Sequence, residues 1–146
     1  MGYRSLYSNT TGACNTAVGP QSLYSNTTAN NNTAFGACTL YANINGPGGT
    51  AVGYLALKAN ISGAYNTAVG SSSLANNTTA GNNAAFGNTA LFANTTGSCN
   101  TATGVLSLCS NTTGARNTAS GYRALGSNTT ASNNTAVGAC SLYANT

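Results

Sequence analysis

The sequence predicts an all-β protein, a parallel β-solenoid (β-roll) built from coils of 17 residues. Three observations support this fold class. The chain repeats itself at a fixed step of 17 residues, and a fixed period of this size is typical of solenoids and arrays. Each unit contains only one invariant large apolar residue, so the apolar spacing that a helix needs is missing. Gly, Asn and Thr recur along the chain, and all three are poor helix formers.

The repeat aligns the whole chain without a gap. Units begin at positions 15, 32, 49, 66, 83, 100, 117 and 134, which gives a single array over residues 1–146 of about eight and a half coils. The consensus is N-T-A-V-G-x-x-S/A-L-Y-S/A-N-T-T-G/A-x-N, and its positions are numbered 1 to 17 here. Position 15 also follows a weaker period of 51 residues, which we interpret as duplication of a block of three coils.

Each unit contains two segments that read as short strands. T-A-V-G at positions 2–5 and S-L-Y-S at positions 8–11 are separated by turns rich in Gly and Asn. Two strands and two turns predict one coil, and coils that pair in parallel stack at about 4.8 Å. The invariant Gly at position 5 fits a bend where a Cβ would clash or where φ is positive. The whole array is expected to form a rod roughly 40 Å long.

Stacking explains why some positions never vary, because each residue meets its own copy in the coils above and below. Position 3 is always Ala and position 9 always Leu, and we expect both inside the coil. Position 12 is always Asn, whose side-chain amides can bond to their own copies as a ladder. The predicted core columns include Ala17, Ala34, Ala51, Ala68, Leu23, Leu40, Leu57, Leu74, Asn26, Asn43, Asn60 and Asn77.

Side chains next to the inward positions are expected to point outward. Alternation places position 4 outside if position 3 is inside, and position 10 outside if position 9 is inside. Apolar stripes on the outside of a rod predict lateral partners, most simply copies of the same chain. The alternative, that position 4 belongs to the core, stays open. The candidates for lateral contact are Tyr7, Tyr24, Tyr41, Phe92, Tyr143, Phe35 and Phe86.

The tandem N-T-A-V-G units with their S/A-L-Y-S-N-T-T-G halves resemble the repeats of phage tail-fibre and bacterial surface-fibre proteins. The N-T-A-V-G core is also similar to the core of the trimeric autotransporter adhesin head, a left-handed parallel β-roll built from shorter units. The resemblance implies an extracellular fibre on a cell or virion surface, a structural or adhesive role, and a cell-surface or glycan ligand. A single-chain solenoid and a trimeric roll of three chains both remain open.

The composition excludes most chemistry. The chain has no Asp, Glu or His, so it lacks the groups that general acid–base catalysis and most metal sites need. We therefore expect no enzyme, no metal and no cofactor. Four scattered cations, with a net charge of +4, do not form the basic stripe that nucleic acid requires. No apolar run is long enough to span a membrane.

The five cysteines are expected to be free thiols in small slots, with a bridge between Cys99 and Cys109 as the alternative. Position 12 also matches the Asn-x-Thr/Ser acceptor of N-glycosylation in most units, although the amide ladder explains the same residues without sugars. The glycosylation candidates are Asn9, Asn26, Asn60, Asn77, Asn94, Asn111 and Asn128.

The sequence thus predicts a non-enzymatic fibre segment that assembles with copies of itself, as a trimer or as an end-to-end filament. Neither chain end carries a solenoid cap, which suggests a segment of a longer array or end-to-end stacking. The alternative function is ice binding through ranks of Thr and Asn. An ice-binding face needs Thr at i and i+2 of one strand. Here Thr occurs singly in N-T-A and as T-T in a turn, where the N-T-T segment supplies an i, i+2 pair of Asn and Thr.

Overall fold

The structure, a computed structural model, describes residues 2–145 and is all-β. Its eight strands of three residues each form one parallel sheet in which sequence order and spatial order coincide. The strands are β1 Thr16–Val18, β2 Thr33–Phe35, β3 Thr50–Val52, β4 Thr67–Val69, β5 Ala84–Phe86, β6 Thr101–Thr103, β7 Thr118–Ser120 and β8 Thr135–Val137. The predicted parallel β-solenoid with a spacing of 17 residues is confirmed.

Neighbouring coils pair in exact register. Thr16, Ala17 and Val18 of β1 lie opposite Thr33, Ala34 and Phe35 of β2, and the same offset of 17 holds for every pair up to β7 and β8. A slip of one residue would turn the central Ala outward, so burial of one side of each strand fixes this register.

The core is a thin double column of Ala and Leu. The central Ala of every strand is buried, and the position-9 Leu residues from Leu23 to Leu125 have no exposed surface and pack against it from the opposite wall. A small residue facing a large one fills the narrow coil without a cavity, which accounts for the two invariant positions.

Position 5 requires glycine for two reasons. Gly19 has φ of 127°, in the region that L side chains avoid, and a Cβ there would stand 2.5 Å from the carbonyl oxygen of Gly36 in the next coil. The later coils repeat the arrangement up to Gly121, so the glycine column lets the backbones approach closely at the bend that ends each strand.

The second predicted strand, S-L-Y-S, is wrong. Only positions 2–4 form a strand, and positions 8–11 lie in a turn segment closed by bonds such as Asn26 N–H to Leu23 O, 3.3 Å. Residues at positions 7 and 9 adopt left-handed φ, as in Gln21 at 56° and Leu23 at 49°. With this alternation the Gln21 N–H donates to Tyr3 O of the preceding coil, and the Leu23 N–H donates to Thr39 O of the following coil. Hydrogen bonds between coils therefore offset the backbone strain.

Candidate functional site

The invariant Asn of position 12 forms a continuous amide ladder inside the rod. Each Nδ2 donates to the Oδ1 of the Asn one coil earlier, at 2.8 Å for Asn26 to Asn9 and 2.9 Å for Asn43 to Asn26. The second Nδ2 hydrogen goes to the carbonyl three residues on, as from Asn43 to Gly46 O. The ladder continues through Asn60, Asn77, Asn94, Asn111, Asn128 and Asn145.

This ladder occupies the atoms that a sugar would need. The six glycosylation candidates from Asn26 to Asn128 have at most 1% of their surface exposed, and each Nδ2 already donates two hydrogen bonds. Asn9, in the first coil, is half-buried and bonds to Gly12 O through Nδ2. An N-linked sugar on the six amides from Asn26 to Asn128 is incompatible with the folded coil, because its first bond would replace a hydrogen that is already bonded.

Two outward columns flank the buried Ala of each strand. Position 4 faces out, with Phe35 at 55%, Phe86 at 43% and Val137 at 73% exposure, so position 4 is not part of the core. On the other side of the same Ala, position 2 carries Thr in every strand except β5, where it is Ala84. The sheet face therefore presents a Thr column beside a Val/Phe column.

The sequence-based prediction of polar ranks rested on the T-T turn and did not include the Thr column of the sheet. Positions 2 and 4 point the same way when position 3 points inward, and the alternation of the strand was the signal. The Asn half of the proposed N-T-T rank is wrong, since Asn26 is buried while Thr28 is exposed. Position 14 forms a second column of exposed Thr residues in the turn, interrupted by Asn45 and Ser62.

Position 10 forms an aromatic column on the opposite wall. The rings of Tyr7, Tyr24 and Tyr41 stack, with centroids 5.2 and 5.0 Å apart and planes 5° and 6° from parallel. Phe92 and Tyr143 are 40% and 42% exposed in the same column. Offset stacking at this distance is favourable for aromatic pairs.

The aromatic column is not continuous. Lys58, Ala75, Cys109 and Gly126 hold its other places, and an apolar groove of about 410 Å³ opens beside Phe92 and Cys109. The candidate contact surface on this wall is therefore a row of rings with gaps between them.

Charged and nucleophilic groups do not converge. Arg4 lies over the rings of Tyr3 and Tyr7 at 5.1 and 5.5 Å, and Arg123 lies over Tyr122 at 5.3 Å. All five cysteines are unpaired, including Cys99 and Cys109. Within residues 2–145 no group of three or more potential metal ligands is present, and no helix long and apolar enough to cross a membrane occurs there.

The site is thus a set of outward columns rather than a pocket with converging chemistry. Comparison of the chain with protein-family models, with curated proteins and with solved structures gave no match.

Proposed function

We propose that this chain is a structural or adhesive segment of an extracellular fibre, carried on a cell or virion surface. The observation that carries the proposal is the axial continuity of the bonding. Every coil contacts the next through the same Asn amide bond and the same strand register, so coils can be added without altering any existing contact. A rod of this kind provides length and stiffness, and it needs no reactive group.

Bonding along the axis is dense relative to the size of the coil. Between the coils that contain Leu23 and Leu40, backbone bonds run from Leu23 N to Thr39 O, Ser25 N to Tyr41 O and Thr27 N to Ile44 O at 3.0–3.2 Å. Strand bonds on the opposite wall join the same two coils. Two walls bonded in this way favour a rod that keeps its shape under load.

The proposed partners are copies of the same chain, which associate laterally through the outward columns at positions 4 and 10. Apolar surface of this extent in regular rows is the feature that supports association. Sedimentation velocity at micromolar concentration tests it on the double variant Phe35→Ser/Phe86→Ser. Ser is compatible with this column, because Ser120 already stands in it.

The expected result is a shift of the parent protein's assemblies towards single rods in the double variant. Tyr65→Ser is the matched control, since Tyr65 is 64% exposed but lies outside both columns. A parent protein that sediments as a monomer, or a double variant that assembles like the parent, would remove the lateral-contact proposal.

Ice binding is the second candidate, and the Thr column of the sheet favours it. Exact register places Thr101, Thr118 and Thr135 at one level of three consecutive strands, which puts their hydroxyls in a rank spaced by about 4.8 Å. Thr103 and Ser120 extend this polar surface to position 4 in β6 and β7.

Thermal hysteresis and ice-crystal shaping decide between the two functions. Ice binding predicts measurable hysteresis that is abolished by Thr118→Lys, whereas Thr113→Lys in the turn column serves as the control. Absence of hysteresis at millimolar protein concentration eliminates this candidate and leaves the fibre proposal intact.

A further inference from the structure

In regular coils the side chain of the Asn at position 1 makes one hydrogen bond to the next coil and one within its own coil. The Oδ1 of Asn66 accepts the N–H of Asn83 at 3.0 Å, and the Oδ1 of Asn83 accepts the N–H of Asn100 at 2.9 Å. The Nδ2 of Asn83 donates to the position-15 carbonyl of its own coil, Gly97 O, at 3.0 Å. Position 1 is therefore a second polar column beside the ladder of position 12.

Gly49 interrupts this column. Because glycine has no side chain, the N–H of Asn66 lacks the Oδ1 acceptor that position 1 of the preceding coil supplies elsewhere. The carbonyl of Gly63 receives a bond from Asn60 Nδ2 at 2.9 Å but loses the second donor that Gly97 O has. One coil below, Asn32 Nδ2 is buried and has no hydrogen-bond partner among residues 2–145.

The coils do not close over the position of the missing side chain. On either side of it the bonds Thr33 N to Gly49 O and Thr50 N to Asn66 O measure 2.8 and 2.9 Å, the same as in regular coils. The point where a Cβ of residue 49 would stand lies 3.0 Å from Asn32 Oδ1 and 3.5 Å from both methyl carbons of Leu40. The coils therefore keep their regular spacing around the space that the carboxamide of position 1 fills in other coils.

We propose that this space is a specific binding site for one buried water molecule. The water accepts the N–H of Asn66 and donates to the carbonyl of Gly63, the two groups that the carboxamide of position 1 serves in regular coils. A buried water typically makes two to four hydrogen bonds, and buried backbone groups without a partner are costly. One of the two groups is an N–H donor and neither carries a charge, so a cation does not fit. This inference is independent of the proposed function.

Two reciprocal variants test the site in the whole chain. Gly49→Asn supplies the missing carboxamide and displaces the water; φ at Gly49 lies outside the left-handed region, and the new Cβ requires the Asn32 side chain to shift by a few tenths of an ångström. Asn83→Gly removes the same carboxamide from a regular coil and creates an equivalent site below Asn100.

The measurement is the rotating-frame Overhauser contact between water and backbone amide protons in ¹⁵N-labelled protein. A peak opposite in sign to the diagonal marks a long-lived water and separates it from hydrogen exchange. The parent protein should show this peak at Asn66 and not at Asn83 or Asn100. Gly49→Asn should lose it at Asn66, and Asn83→Gly should gain one at Asn100.

A parent protein without a water contact at Asn66, or a contact that survives unchanged in Gly49→Asn, would overturn the assignment. If Asn83→Gly does not fold, the parent and Gly49→Asn still decide the question, because Gly49→Asn adds hydrogen bonds and removes none.

Discussion

At the scale of the residue, the side-chain amide of the Asn at position 12 bonds both to the neighbouring coils and to the turn of its own coil. Its Nδ2 reaches both the neighbouring coil and the turn of its own coil, while its Oδ1 accepts from the coil on the other side. Among uncharged side chains only Asn and Gln offer two donors and an acceptor in one amide, and Asn holds that amide one methylene closer to the backbone. The ladder therefore explains the invariance of position 12 without reference to glycosylation.

Replacing one rung should be costly, and its sequence neighbour provides the control. Asn77→Ala leaves Asn60 Oδ1 buried without a partner and removes one of the two bonds of the buried Asn94 Nδ2, so we expect a loss of about 2–4 kcal/mol in the free energy of unfolding. Asn76→Ala changes an exposed Asn one residue away and should alter stability by less than about 0.5 kcal/mol. Denaturant unfolding of both variants measures the difference, and equal stabilities would refute the ladder's role.

At the scale of the element, the turn segment opposite the sheet depends on its backbone more than on its side chains. Positions 7 and 9 are left-handed in every coil, although position 7 carries residues as different as Arg4, Cys38 and Leu55. Residue types of this variety do not encode left-handed φ. The bonds to the coils above and below stabilise it, because every residue at these positions except the terminal Arg4 and Leu142 donates its N–H along the axis.

Two adjacent serines test whether the left-handed residues are strained, because substitution by Gly is expected to change the stability in opposite directions. Ser72 has φ of 56°, so Ser72→Gly should stabilise the protein by about 0.5–1 kcal/mol as the strain is relieved. Ser71 lies outside the left-handed region, and Ser71→Gly should destabilise by a similar amount through backbone entropy alone. Thermal unfolding compares the pair. Destabilisation by both substitutions would show that the left-handed conformation carries no strain here.

The difference between side-chain columns and backbone conformation explains what the sequence could predict. Period, register and parallel stacking follow from identical residues recurring at a fixed step, because only stacked coils bring Ala17 onto Ala34 and Asn26 onto Asn43. The S-L-Y-S segment was assigned wrongly because Leu23 gives no sign of its positive φ. The outward Thr column could have been found from strand alternation. The sequence shows that Gly49 lacks the side chain of position 1. Which groups lose their hydrogen bonds as a result could be predicted only from the contacts between neighbouring coils.

At the scale of the whole molecule, stability should be shared among equivalent coils. Deletion of residues 67–83 removes one whole period of 17 and rejoins Asn66 to Ala84, so every column stays in register. We expect the shortened chain to keep its circular dichroism spectrum and to lose only one coil's share of stability. Deletion of residues 67–80 removes a partial period, shifts all later columns and should abolish cooperative unfolding.

The central claim is that successive units lie directly upon each other, with like residues in columns along one axis. X-ray diffraction from oriented, concentrated protein measures this most directly. The account predicts a strong meridional reflection at about 4.8 Å, the spacing of paired parallel strands along the rod. Absence of that reflection from well-oriented samples, together with a helical circular dichroism spectrum, would contradict it.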